Sequence, residues 1–176
     1  MTDDALRFPI GRFARPAHST SADRASRIER LATLPQRLHA AVEGLDAEQL
    51  ATPYRDGGWN TRQVVFHVGD SHVNALVRLK LALTQERPTI QPYDEDAWVR
   101  TGDATTQSIR SALQFVDVVQ ERFVAVWKGL DAAQFDRVYV HPQNGESTLD
   151  QLLALYAWHG DHHLAHVTGL RSRRGW

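Results

Sequence analysis

Cysteine is absent from the 176-residue sequence, which excludes a disulfide scaffold, a cysteine nucleophile and a zinc ribbon or iron–sulfur cluster held by the chain's own thiolates. An excess of charge is also lacking, because 20 Lys and Arg stand against 21 Asp and Glu. Without a basic surplus to neutralise a phosphate backbone, we expect no nucleic-acid partner. No apolar run approaches the ~20 residues that a membrane span needs, and the N-terminus has no apolar stretch typical of a signal peptide. We therefore expect a cytoplasmic protein with no membrane partner.

Four segments of the sequence carry the apolar spacing of an amphipathic helix, with apolar residues three and four positions apart. Pro35 lies inside the first segment and predicts a kink or a local break there. The only strand-like alternation is short, at 138–140. We therefore predict an all-α, up-down four-helix bundle that forms one domain, 1–176. The helices are predicted to run from the Ser/Thr cluster at 19–21 to Gly44, from Asn60 or Thr61 to about Gln85, from Ile109 to Gly129, and from Ser147 or Thr148 through Leu170.

Two segments outside the helices look irregular. Residues 1–20 contain proline and glycine at short intervals, which predicts an extended arm. We expect its apolar residues Phe8, Ile10 and Phe13 to pack on the body or on a partner subunit, and on this basis we predict a homodimer. Residues 87–106 show no regular period, and a loop of that length inside a compact domain is usually functional or mobile.

A seven-residue segment occurs twice in the chain. Residues 44–50 read GLDAEQL, and residues 129–135 read GLDAAQF. Each copy ends one predicted helix and precedes, after a loop, the next. This internal repeat predicts two helical hairpins in tandem.

Histidine is the unusual feature of the composition, because four of the nine histidines lie between positions 159 and 166. At ~100° per residue, all four continue the apolar face of the last helix, which has to face the core. Two histidines at i and i+4 can share a metal ion, and the spacing allows either 159/163 or 162/166. For the cluster alone, metal binding and ordinary hydrogen-bonded interior histidines are equally supported. Taken singly, His162 and His166 are interpreted as structural or exposed.

A third ligand has to come from another helix, and His67 on the second helix is the candidate. Polar residues surround it on a helical wheel, a pattern typical of a solvated face, which is slightly favoured, or of a pocket wall where Asp70 or Asn74 orients a ligand. His72 lies ~140° away and is assigned to a different surface. The polar stripe consists of Gln63, Asp70, Ser71, Asn74 and Arg78, and no role is assigned to His18, His39 or His141.

Several of these residues lie in longer motifs that resemble a known family. YRDGGWNTRQVVFH at 54–67, PTIQPYDE at 88–95 and YAWH at 156–159 resemble the YfiT-type branch of the DinB-like superfamily. FPIG at 8–11 and the histidines at 162, 163 and 166 also fit, so the resemblance spans nearly the whole chain. It departs at Phe66 and at Gly160-Asp161, where relatives are richer in histidine.

The resemblance implies a four-helix bundle that holds one divalent metal ion per chain through three histidines. Carried over to this sequence, the ligands are His67, His159 and His163, which settles the choice that spacing left open. We expect zinc first and nickel second. The family also implies cytoplasmic homodimers, and its members are described either as metal-dependent hydrolases or as transferases that attach the thiol bacillithiol to electrophiles.

Two reactions suit an open three-histidine site: hydrolysis by activated water and attack by an activated substrate thiol. The transferase is preferred through the resemblance, with a small thiol and an electrophile as substrates. The chain has no H-E-x-x-H, G-x-S-x-G, G-x-G-x-x-G or P-loop motif that would indicate another chemistry. A metal- or ligand-binding bundle without catalysis is the competing class. The pocket candidates are Asp70, Asn74, Tyr93 and Arg78, with Arg78 expected to bind a carboxylate of the thiol and Tyr93 and Asp94 expected to belong to a lid.

Overall fold

The computed structural model describes residues 2–176, which form four long helices, four short α-helices, one 3-10 helix and a small hairpin. Among these residues, no helix has the length and apolarity that crossing a bilayer requires. In chain order the elements are α1 (Asp3–Arg7), α2 (Ser21–Val42), α3 (Ala47–Leu50), α4 (Thr61–Thr84), α5 (Glu95–Trp98), α6 (Gly102–Thr106), α7 (Ile109–Lys128), a 3-10 helix (Ala133–Asp136), β1 (Val138–His141), β2 (Gly145–Thr148) and α8 (Leu149–Arg174).

The long helices begin where the sequence provides side-chain caps. Thr20, Asn60 and Thr148 each accept a hydrogen bond from the backbone of the third helical residue, whose side chain bonds back to the cap. The four predicted helices are therefore confirmed. Of the kink or local break predicted at Pro35, the break is wrong, because α2 continues through it. The neighbouring Leu31 and Leu34 are buried on the packed face, which holds the helix together despite the missing N–H.

Helices α4 and α7 run in the same direction. Their N-terminal halves share one apolar cluster, and their C-terminal halves share another at the opposite end of the bundle. The connecting segment, residues 85–108, therefore has to return along the bundle, a distance of about 36 Å for a helix the length of α4. The prediction that residues 87–106 are irregular is only partly right, because this segment contains α5 and α6. It is also tied to the hairpin, since the Ile90 amide donates to the Val140 carbonyl over 2.9 Å.

Helices α2 and α8 are the second parallel pair. Arg24 bonds Asp150 near the start of both helices, and Arg171 bonds the carbonyl of Ala41 near the end of both. Helices α2 and α4 each pack against α7 and α8, and so lie at opposite corners of the bundle. The four-helix bundle is confirmed, but its directions follow up-down-down-up. The predicted alternating up-down order, with each hairpin's helices adjacent, is wrong.

The two copies of the repeated segment adopt similar local structures. In each copy an aspartate and a glutamine exchange hydrogen bonds, Asp46 with Gln49 at α3 and Asp131 with Gln134 at the 3-10 helix. Only the second copy leads into a hairpin, in which β1 pairs antiparallel with β2. The short alternation at 138–140, from which no strand was predicted, forms β1, and its partner β2 was not expected either.

The N-terminal arm folds back onto its own bundle. It contains the short helix α1, which the prediction of an extended arm did not include. The Phe8 ring lies 6.1 Å from that of His162, and the Phe13 ring lies 5.8 Å from that of Trp158, while Ile10 remains 44% exposed. The expectation that the arm packs on the body is therefore confirmed.

A polar layer divides the apolar core into two clusters. One cluster joins the C-terminal half of α4 to the N-terminal half of α8, and the other joins the two opposite halves. Between them, buried polar side chains from three helices cross the middle of the bundle. They are His67 and His72 from α4, Gln120 from α7, and His163 from α8.

Candidate metal centre

Three histidines from two helices converge in the polar layer. His67 projects from α4, and His159 and His163 project from successive turns of α8, with one nitrogen of each ring within 4.8 Å of the others. The Nε2 atoms of His67 and His159 are 3.1 Å apart. The structure therefore brings together the three residues to which the family resemblance points.

The donor set fits a divalent metal ion such as zinc. Three imidazole nitrogens match the preference of zinc, and a tetrahedral ion with bonds of about 2.0–2.1 Å would hold two ligand nitrogens about 3.3 Å apart. The observed 3.1 Å is close to this separation. The unpartnered Nδ1 atoms do not single these residues out, because Nδ1 of His162 and of His166 is buried without a hydrogen-bond partner like those of His67 and His163.

Burial keeps these imidazoles in the neutral form that a metal requires. It lowers the pKa of His67 to about 3, with the charge of neighbouring histidines contributing further. The pKa values of His159 and His163 are held well below their usual range, first by burial and then by the adjacent imidazoles. At neutral pH all three rings therefore offer lone pairs.

His72 lies behind His159, and its assignment to a different surface is wrong. Its Nε2 is 3.2 Å from Nδ1 of His159, and its Nδ1 is 3.0 Å from the side-chain amide of Gln120. If His159 uses Nε2 as a ligand, its Nδ1 carries the proton and donates to His72. His72 then carries its own proton on Nδ1; the structure places the Gln120 amide nitrogen there, so this tautomer requires the amide to be turned over, with its now unpartnered oxygen as the acceptor. The chain from α8 through α4 to α7 thus fixes one orientation of the ligand.

A cavity of about 540 Å³ opens from the three histidines. Trp59 covers one side, with its ring centroid 4.6 Å from that of His67 and 6.0 Å from that of His163. The Trp59 indole donates to Asp96 of the α4–α7 connection over 2.8 Å. That connection also provides Pro92, Tyr93 and Glu95 to the cavity wall.

Two of the four pocket candidates line this cavity. Arg78 and Tyr93 do so, and burial raises the pKa of the Tyr93 phenol, which therefore keeps its proton. Asp70 and Asn74 do not. The Asn74 side chain donates to the backbone of Asp70, and Asp70 lies in a separate depression between α4 and α7, where burial and nearby Asp103 raise its pKa to about 6. Neither residue orients a metal ligand, a position that His72 occupies instead.

The remaining histidines divide between the cavity and the surface. His162 and His166 are buried cavity walls rather than exposed residues, and His166 stacks on Tyr54 with ring centroids 3.9 Å apart. His141, which sequence reasoning left without a role, reaches the cavity from the hairpin. His39 bonds Asp117 on an exposed face.

Comparison with known proteins is consistent with this architecture. The sequence profile of the DinB superfamily matches residues 30–167. YfiT of Bacillus subtilis, provisionally named a metal-dependent hydrolase, is 43% identical over 178 residues, which cover 100% of this chain and 99% of that protein. A Bacillus mycoides protein of the same provisional name is 42% identical over 171 residues, covering 97% and 98% of the two chains.

Solved structures show the same fold. The structure of B. subtilis YfiT, described as having an unusual four-helix bundle topology, matches with a TM-score of 0.95 at 41% identity and covers 98% of this chain and 99% of that one. TT2238, a four-helix bundle protein, matches with a TM-score of 0.59 at 21% identity over 83% of this chain and 98% of its own. By its profile match and its identity to these relatives over nearly full length, the chain belongs to the DinB superfamily.

Proposed function

We propose that the protein is a metal-dependent enzyme that transfers a small thiol, of the bacillithiol type, to an electrophile. The observation that carries this proposal is the convergence of three neutral imidazoles at the inner end of an open cavity. A divalent ion held by three such ligands keeps an open position and lowers the pKa of a thiol or a water molecule that binds there. We propose zinc as the resident ion, with nickel as the alternative.

The surroundings of the three histidines favour a nucleophile that needs no protein base. Within residues 2–176, no carboxylate hydrogen-bonds to His67, His159 or His163; the polar partners are other imidazoles. A thiol has a pKa near 8.5 before any activation, far below that of water, so its proton can pass directly to solvent. The Trp59 ring and the histidine layer shield the inner end of the cavity, which favours attack by the bound thiol over competing hydrolysis.

The proposed reaction forms one bond and breaks one. With an alkyl halide, the substrate sulfur bonds to carbon, the halide leaves with the bonding pair, and the thiol proton is released to solvent. His67, His159 and His163 would hold the ion that binds the thiol at the inner end, and His72 would keep His159 in the required tautomer. The cavity of about 540 Å³ has room for a small thiol and an electrophile together.

Metal content and thiol consumption test the proposal. Protein prepared without a histidine tag or a nickel column should contain about one divalent ion per chain, and His67→Ala, His159→Ala and His163→Ala should each lose most of it. Zinc-loaded protein should consume bacillithiol, glutathione or cysteine in the presence of a chromogenic halide or epoxide, and His67→Ala should abolish this activity. Full metal retention in His159→Ala would instead favour the 162/166 pair.

Hydrolysis is the second candidate, because the relatives carry the provisional name of metal-dependent hydrolases. Ester and amide substrates assayed beside the thiol reaction separate the two classes. Metal-dependent turnover of esters or amides without thiol consumption would establish the hydrolase and refute the transferase. Stoichiometric metal without turnover of either substrate set would indicate a binding protein.

A further inference from the structure

Arg78 brings a positive charge into the cavity without a counter-ion. Its side chain is only 9% exposed, and among residues 2–176 no carboxylate lies within ion-pair distance of its guanidinium group. Its two hydrogen bonds are long, to the Tyr156 hydroxyl at 3.3 Å and to the Gln91 carbonyl at 3.4 Å, and its Nε has no partner. Because a buried charge is costly unless it is paired, this position favours an anionic ligand.

The other groups near the inner wall leave this charge unopposed. The pKa of His141 is lowered by burial and by the positive charge of Arg78, so this imidazole is neutral at physiological pH. Tyr93 keeps its phenolic proton, because burial and then the nearby Tyr156, Glu95 and Asp70 raise its pKa, and its hydroxyl hydrogen-bonds to Ser71. The acidic residues of the cavity, Glu95 and Asp96, are exposed on the α4–α7 connection, and Asp96 already accepts from Trp59. The inner wall at Arg78 is therefore the part of the cavity suited to a negative group.

Arg78 and the three histidines line the same cavity, so one small molecule can reach both. Tyr156 contacts both places, since its hydroxyl accepts from Arg78 and its ring centroid is 5.6 Å from that of His159. A guanidinium presents a planar fork of donors that matches a carboxylate. One positive charge also balances one carboxylate, whereas a phosphate dianion would be left with excess charge.

We propose that Arg78, together with Tyr93 and His141, forms a subsite that binds a carboxylate at the end of the substrate remote from the reacting group. The inference rests on the proposed metal-dependent function, since it places the reacting group at His67, His159 and His163. It adds a substrate class: small molecules that carry a carboxylate at the end opposite the nucleophilic or electrophilic atom.

Two hydroxamate probes test the subsite independently of the reaction type. Succinic monohydroxamate and butyrohydroxamate carry the same zinc-binding hydroxamate group. At the other end, the first has a terminal carboxylate and the second has a methyl group. Isothermal titration calorimetry on the zinc-loaded protein should give a dissociation constant about ten- to a hundredfold lower for the carboxylate probe. Equal binding of both probes would overturn the subsite and leave the metal centre intact. If neither probe binds, the result contradicts the metal centre and therefore also the subsite, which depends on it.

Variants then assign the preference to Arg78. Arg78→Met should remove the preference while leaving the affinity for butyrohydroxamate unchanged, and Arg78→Lys should retain part of it. Arg55→Met is the matched control, because Arg55 also lines the cavity but lies near His166 and within 3.7 Å of Asp3. Loss of the preference in Arg55→Met instead of Arg78→Met would overturn the assignment. Should Arg78→Met lose its fold or its zinc, the two-probe comparison in the wild type and in Arg78→Lys still decides the question.

Discussion

Replacing His72 should weaken metal binding although His72 is not itself a ligand. In His72→Phe the aromatic contacts with Tyr156 and Phe123 can persist, since phenylalanine has a ring of similar size. What is lost is the acceptor 3.2 Å from Nδ1 of His159. When His159 binds a metal through Nε2, its Nδ1–H is then buried without a partner.

The expected magnitude follows from that unpaired donor. A buried donor left without its partner costs about 1–3 kcal/mol. In the metal-free protein His159 can move its proton to Nε2 and avoid most of this penalty, so the penalty falls mainly on the metal-bound state. At about 1.4 kcal/mol per factor of ten, the dissociation constant for zinc should rise about ten- to a hundredfold. Gln120→Met should raise it less, because its loss leaves His72 itself in place.

Competition with a chromogenic zinc chelator at pH 7.5 measures the effect, with circular dichroism to establish that each variant is folded. His162→Phe is the matched control: His162 is a buried histidine of the cavity wall, it stacks on Trp158, and it makes no hydrogen bond to a ligand. Unchanged zinc affinity in His72→Phe would refute the reasoning. An equal loss in the control would show that the effect comes from general disturbance of the layer.

Three further predictions address stability and assembly. Gly160→Ala should destabilise the protein by about 1–3 kcal/mol in chemical denaturation, because the added methyl would lie 2.6 Å from buried Leu34. Gly69→Ala is the control and should cost little, because its methyl approaches the exposed, movable ring of Phe115. Equal effects of the two substitutions would contradict this packing. The pKa of Asp70 is raised from its ordinary 3.8 to about 6, so ionising this carboxyl destabilises the folded state above its ordinary pKa, and by the full amount above about pH 6. Asp70→Asn should therefore raise the melting temperature at pH 7.5, with an advantage that shrinks as the pH falls from 6 and is lost below about 3.8; an advantage that is constant with pH would refute it. Light scattering at micromolar concentration should give about twice the 19.9 kDa chain mass, as the homodimer prediction requires, and a monomer that persists on concentration would reject it.

The helices were predictable from the sequence, but their directions were not. Apolar spacing and the caps at Asn60 and Thr148 locate each helix because they depend on neighbours along the chain. The order of directions depends on which faces meet, and periodicity does not encode this. The length of the 85–108 segment was the available signal, since antiparallel neighbours need only a short connection.

The candidate site, too, could be predicted only in part from the sequence. The histidines at 67, 159 and 163 were found because family motifs contain them, while spacing alone left 162/166 as an equal choice. His72 was missed because it lies ~140° from His67 on the helical wheel and was therefore assigned to a different surface. In the bundle α4 packs against both α7 and α8, so two of its faces are buried. The apolar run at 64–66, followed by Val68, was the signal that this helix is buried on more than one side.

The polar layer also has a consequence for the chain as a polymer. His67 and His159 are 92 residues apart, so an ion bound to both would tie the two halves of the sequence into one large ring. A covalent cross-link over that interval would lower the entropy of the unfolded chain by an amount worth about 4.6 kcal/mol. A chain with no cysteine thus has the means to form a reversible counterpart of a disulfide. A chelator would open this ring while leaving the covalent chain intact.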